Sequence, residues 1–166
     1  LFSAIDFVPF YSFNDVVVSH ATFNALGTCP ADWSYVNTHE DHLKQLLILS
    51  RFGARLGILG HTHRSRCYSL ESTAIGDKSV SCIGTLLQPH TNIDLSSYPC
   101  SIVNAGSIGQ PREKPLPGPS WLLIEFDAFV AKTAAFVPFT YDVNAHLKDI
   151  SDSTLSLTCS QMLSSF

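Results

Sequence analysis

The chain has 166 residues, 45% hydrophobic and 14% charged, a balance that fits a folded domain with a buried core and excludes a disordered polymer. Its formal net charge is −4, with no cluster of Lys or Arg, which argues against nucleic acid or an anionic membrane as the partner. Cys29, Cys67, Cys82, Cys100 and Cys159 are scattered and never spaced C-x-x-C, and no apolar run reaches the length of a membrane span, so the expectation is a reducing, cytoplasmic setting without a disulfide scaffold or structural zinc.

The first residues are apolar at once (Leu1, Ile5, Phe7, Val8, Phe10), which reads as an internal start, because natural termini are more often polar and frayed. Asp15-Val-Val-Val-Ser19 is a β-branched run ending at His20 and reads as a buried strand. Thr22 to Asp32 carries Gly27 and Pro30 and reads as a loop. Thr38-His-Glu-Asp41 has the capping-box spacing, Leu43, Leu46 and Leu47 follow at helical intervals, and Gly53 is a natural stop. Leu56-Gly-Ile-Leu59 is a second buried strand, ending in Gly60-His-Thr-His63. Strand, helix and strand in succession predict parallel α/β pairing.

Beyond this point Ser69 to Ser97 is rich in Ser, Thr and Asn, with one expected strand at Val80 to Leu87. Ser101 to Val103 is a short strand feeding the loop Asn104-Ala-Gly-Ser-Ile-Gly109, and the four prolines of Pro111 to Pro119 predict another loop. Trp121 to Phe126 and Ala135 to Tyr141 read as antiparallel neighbours, Asn144 to Ile150 as a helix, and Leu155 to Leu163 as a second one. The expected architecture is two buried parallel strands followed by a β-rich half, as in a two-sheet sandwich with outer helices.

Chemistry concentrates at His20, His61 and His63, each just past a predicted strand. Ligands of open α/β sheets bind beyond the carboxyl ends of strands. If the segment is extended, His61 and His63 point the same way, Gly60 allows close backbone approach, and adjacent strands bring His20 to join them. Three neutral imidazoles suit a divalent ion such as Zn, Mn or Fe. Spacing alone leaves open the alternative of hydrogen-bonded surface histidines. His39, His42, His90 and His146 read as structural or solvated, the first two on an exposed helical turn.

The string Gly57-Ile-Leu-Gly-His-Thr-His63, followed by Val103-Asn-Ala-Gly-Ser-Ile-Gly-Gln-Pro-Arg112, resembles the calcineurin-like metallophosphoesterase superfamily. Its small bacterial phosphodiesterase and diadenosine-tetraphosphatase-like branch is the most similar. Tyr141-Asp142 with Ala145 resembles that branch's last helix, Val16 to His20 its "VHG" strand with Ala21 in place of glycine, and Asp32-Trp33 with Tyr35-Val36 a Trp/Tyr pair between the motifs. The resemblance implies the C-terminal part of a four-layer α/β/β/α sandwich whose N-terminal βαβ segment is missing, so that residues 1–166 are one partial domain. It implies two divalent ions (Mn, Fe, Zn or Ni), with His20 and His61 serving one and His63 the other, and hydrolysis of a small-molecule phosphate ester.

No D-x-H, GD-x-x-D or GNH motif occurs in the chain. By family order these lie before Leu1, and with them the bridging carboxylate and the expected catalytic residues. The resemblance therefore implies an enzyme as the intact protein and an inactive isolated chain, with Val16 to Ser19 left as a sheet edge. Ala105 stands where the family's N-P-G-S loop has proline, and Arg112 is either a phosphate neighbour or a surface residue. The competing reading is a non-catalytic protein-binding module on the same fold. Retention of all three histidines favours the enzyme.

Overall fold

The computed structural model describes residues 8, 10–27, 32–71, 80–90, 92–108, 112 and 119–153. The expected helix at Leu155 to Leu163, Cys29, Cys159 and most of the proline-rich loop lie outside these. The strands are β1 (Tyr11–Phe13), β2 (Val16–Val18), β3 (Leu56–Leu59), β4 (Ser65–Leu70), β5 (Cys82–Leu86), β6 (Asn92–Asp94), β7 (Ser101–Ala105), β8 (Ser120–Asp127) and β9 (Val130–Pro138). The helices are α1 (His39–Phe52) and α2 (Val143–Ser151). They form a six-stranded sheet ordered β1-β2-β3-β7-β4-β5 and a three-stranded sheet ordered β6-β9-β8.

β2, β3 and β7 run parallel, with Val17 opposite Gly57 and Gly57 opposite Ile102. The parallel core thus has three strands where the sequence suggested two. β-branched side chains suit this pleated, buried setting. Alternate residues face opposite ways. Val17, Leu59 and Ile102 pack with Leu46 and Leu49 of α1, while Val16, Leu56 and Val103 pack with Ala134 and Phe136 of β9. Helix, sheet and sheet are therefore stacked, with a core in each of the two interfaces. Gly57 permits close approach of helix and sheet: a Cβ there would meet Leu49 and lie 2.6 Å from Phe23 Cζ.

The start of α1 is as the sequence dictates. Asp41 N donates to Thr38 Oγ1 (3.1 Å) and Thr38 N to Asp41 Oδ2 (2.9 Å), closing the capping box. Gly53 ends the helix in the left-handed region, φ 87°. Three strands escape the sequence reading. β4 is buried yet carries Ser65 and Ser69, and Ser69 Oγ meets Ser101 Oγ of β7 at 2.8 Å; paired hydroxyls let a polar-looking strand enter a core. β1 and β6 are each three residues long, too short to show alternation. β1 pairs antiparallel with β2, so β2 is not the edge expected; β1, exposed throughout, takes that place. Among the described residues no helix is long and apolar enough to cross a membrane.

Candidate metal centre

His20 follows β2 and His61 and His63 follow β3, two adjacent parallel strands, and this adjacency brings His20 and His61 together, while His63 forms with them no group of three arranged to hold a metal ion among the described residues. His20 Nε2 and His61 Nδ1 are 3.1 Å apart, with ring centroids at 5.0 Å. His61 and His63 sit at φ 58° and 59°. The segment is therefore not extended, as the i, i+2 argument assumed, but coiled through the left-handed region, which a non-glycine residue enters at a cost of about 1–2 kcal/mol. Such strain persists where the surroundings impose it, and it clusters at functional sites.

The surroundings here are specific. Gly60 N donates to His20 O (2.9 Å) and Thr62 N to Gly60 O (2.6 Å). Asn104, buried at the carboxyl end of β7, donates through Nδ2 to Gly60 O (2.6 Å) and Thr62 Oγ1 (2.9 Å) while its Oδ1 accepts from Gly106 N (2.9 Å). Its amide nitrogen thus holds the histidine loop, while its oxygen fixes the turn at Gly106. Arg112 N donates to His63 O (3.1 Å). Gly60 itself is not required by space, since a Cβ would stand 3.5 Å from His20 O, an ordinary contact. Gly106 is required: it lies at φ 84°, and a Cβ there would strike Ser65 Oγ.

Burial holds the His20 imidazole below its ordinary proton affinity, helped by the nearby His61 and His63 rings. His61 Nε2 is buried and has no hydrogen-bond partner, an anomaly for a polar atom and a position where a Lewis acid would fit. Among the described residues, however, no group of three or more His, Cys, Asp or Glu side chains is arranged to hold a metal ion. The nearby carboxylates are committed elsewhere. Asp32 accepts from Asn24 Nδ2 (2.5 Å) and Ser34 N (2.9 Å), and Asp41 caps α1. The residues present fit part of a metal site rather than a whole one.

The remaining histidines are apart from this cluster's contacts. His39 Nε2 lies 3.4 Å from Cys82 Sγ. His42 is buried, not exposed as the helix pattern suggested: it stacks on Tyr68 at 3.6 Å with Nδ1 against Thr38 O (2.7 Å). His90 N donates to Phe136 O, and the His146 ring meets Tyr141. Aromatic neighbours of the site came to notice in the sequence only through resemblance. Tyr35 stacks on His61 at 4.2 Å, and Trp33 meets His20 at 5.3 Å and His61 at 6.1 Å. Nothing in composition signalled the holding role of Asn104; the available hint was an Asn at a strand end followed by glycine two residues on.

Comparison with known structures defines the fold. The chain has the fold of a metallophosphoesterase from Sphaerobacter thermophilus, with a TM-score of 0.70 at 21% identity over 95% of this chain. It spans 58% of that protein's length. No protein-family model matches the chain, and no curated protein matches it significantly.

Proposed function

We propose that this chain is the C-terminal part of a metal-dependent phosphoesterase, a hydrolase of small-molecule phosphate esters, in which His20, His61 and His63 are metal ligands. The observation that carries the reading is the meeting of His20 and His61 beyond two parallel strands, with the buried His61 Nε2 left without a partner. Support comes from the fold shared with a metallophosphoesterase. The carboxylates and the proton donor to the leaving group are, on this reading, supplied by a part of the fold outside these 166 residues, which span 58% of the neighbour's length. Two divalent ions (Mn, Fe, Zn or Ni), when bound, polarise the phosphoryl oxygens and activate water near neutral pH. This chain's own share is to aim the imidazoles. Asn104 and the backbone of His20 fix the histidine loop, and Tyr35 packs against one face of His61. The proposed location is cytoplasmic.

The test is turnover of bis(p-nitrophenyl) phosphate with Mn by the complete protein, against His20→Ala, His61→Ala and His63→Ala. Each variant is expected to lose about a hundredfold or more in kcat with an unchanged unfolding midpoint, since these side chains extend beyond the strand ends. Full activity in all three variants would overturn the ligand assignment. A complete protein that neither binds metal nor turns over any ester would favour the protein-binding module.

A further inference from the structure

Trp33 is 71% exposed, unusual for the side chain with the largest apolar surface. Its ring stands 5.3 Å from His20 and 6.1 Å from His61, inclined to them by 57° and 61°. Neither histidine lies flat on the indole, one contact being tilted and the other edge-on, and with the side chain mostly exposed an indole face stands open beside them. Tyr35, by contrast, already has one face stacked on His61 and Arg112 Cζ 5.9 Å from its ring centroid. The segment that carries both rings is pinned at each end. Asp32 Oδ1 accepts from Ser34 N (2.9 Å) and its other oxygen from Asn24 Nδ2 (2.5 Å). Downstream, Asp41 Oδ2 accepts from Asn37 N (3.3 Å) and Thr38 N (2.9 Å). Asn24 is in turn held by Gln45 of α1 through a 3.1 Å bond to its Oδ1. Trp33 is thus presented on a loop with no regular structure but fixed anchors, and a stacking surface that is ordered in advance loses little entropy on binding.

We propose that Trp33 is a stacking platform for a planar aromatic group on the substrate, so that the site takes phosphate esters whose organic part carries an aromatic ring. The inference rests on the phosphoesterase reading, which places the phosphoryl group at His20 and His61. An aromatic ring stacked on the open indole face lies roughly 3.5–4 Å from it. With Trp33 in contact with both histidines, ring and phosphoryl group are then separated by less than about 10 Å, within reach of one small ester. Arg112, beside Tyr35, places a guanidinium on the same rim, where it suits a phosphate oxygen. Two sources share this chemistry, a nucleobase and a simple aryl ester, and the probes distinguish them.

The experiment uses the 166-residue chain with Trp121→Phe, so that Trp33 alone reports by fluorescence, titrated with and without Mn. The probes are AMP, phenyl phosphate, ribose 5-phosphate and adenosine. AMP or phenyl phosphate is expected to quench Trp33 and to bind about tenfold or more tightly than ribose 5-phosphate, the lower part of what one base–aromatic stack contributes. Quenching by AMP alone identifies a nucleobase site, and quenching by both a general aryl site. Calorimetry with the same ligands on Trp33→Ala should show that preference abolished, and on Trp33→Phe largely restored. Because Trp33 is mostly exposed, neither change should lower the unfolding midpoint. Equal affinity for AMP, phenyl phosphate and ribose 5-phosphate, or an unaltered preference in Trp33→Ala, would overturn the inference while leaving the phosphoesterase reading intact. Adenosine binding as tightly as AMP, in parent and His61→Ala alike, would keep the aromatic platform and remove the phosphoryl site.

Discussion

His42 illustrates how a side chain can pass for solvated in sequence and prove to be part of a core. It lies in the first turn of α1, yet it is buried, stacked flat on Tyr68 of β4 and hydrogen-bonded to Thr38 O. Burial lowers its proton affinity from the ordinary 6.5; the Thr38 carbonyl and the Asp41 charge oppose that shift, and Arg66 and His39 reinforce it. The consequence for stability follows by linkage. The unfolded chain takes up the proton near 6.5, the folded chain only at lower pH, so stability is full above about pH 6.5 and is lost as pH falls from there through the lowered folded value. His42→Phe keeps the stack without the titration. Urea midpoints measured at pH 7.5 and 5.5 should therefore differ less in His42→Phe than in the parent. An equal acid loss in both would assign the pH dependence to other groups, His20 first among them. The same burial pushes the Cys67 and Cys100 thiols up to about 11 and about 12, which marks them as packing residues and not nucleophiles.

Among the elements, legibility tracked local chemistry. α1 was readable at both ends because Thr38, Asp41 and Gly53 each satisfy orphan backbone groups in a way that only a few residue types can. β2 and β3 were readable from their apolar runs, and their adjacency correctly brought His20 to His61. What sequence did not show was conformation imposed from outside: the left-handed His61 and His63, and the Asn104 side chain that holds their loop from β7. The start of β9 was missed by five residues for a related reason. β8 and β9 are joined through Ala128 and Phe129 at φ 46° and 70°, a two-residue hairpin turn of the kind that normally carries Asn-Gly. Neither residue announces it, and both pay for the conformation, Phe129 while 76% exposed. Replacing them together, Ala128→Asn with Phe129→Gly, should raise stability by about 1 kcal/mol, the order of the relieved strain. Chemical denaturation reads this directly, and a lower midpoint in the double variant would show that the turn is not strained as its torsion angles indicate.

For the molecule as a whole, the sheet order sets what the 166-residue chain can ligate. The three histidines lie just past the carboxyl ends of β2 and β3, whereas Asp15 precedes β2, at the opposite end of the strand. Both Asp15 carboxylate oxygens are buried there without hydrogen-bond partners, and about five residues of extended chain, roughly 16 Å, separate Asp15 from His20. Asp32 and Asp41, nearer the histidines, already accept two or more hydrogen bonds each. Two cations a few ångströms apart need a shared anion to offset their repulsion; Asp15 stands at the wrong end of its strand, and neither Asp32 nor Asp41 can supply it without unmaking a loop anchor or a helix cap. Residues 1–166 should therefore bind at most one divalent ion. Binding should be weak, should depend on His20 and His61, and should fall as acid protonates the imidazoles. Calorimetric titration with Mn or Zn at pH 7.5, repeated with His61→Ala, measures stoichiometry and dependence together. One weak site, abolished in the variant, is the expected outcome. Two tight sites would mean that a carboxylate outside the described residues has taken the bridging role, and that the chain holds a complete centre.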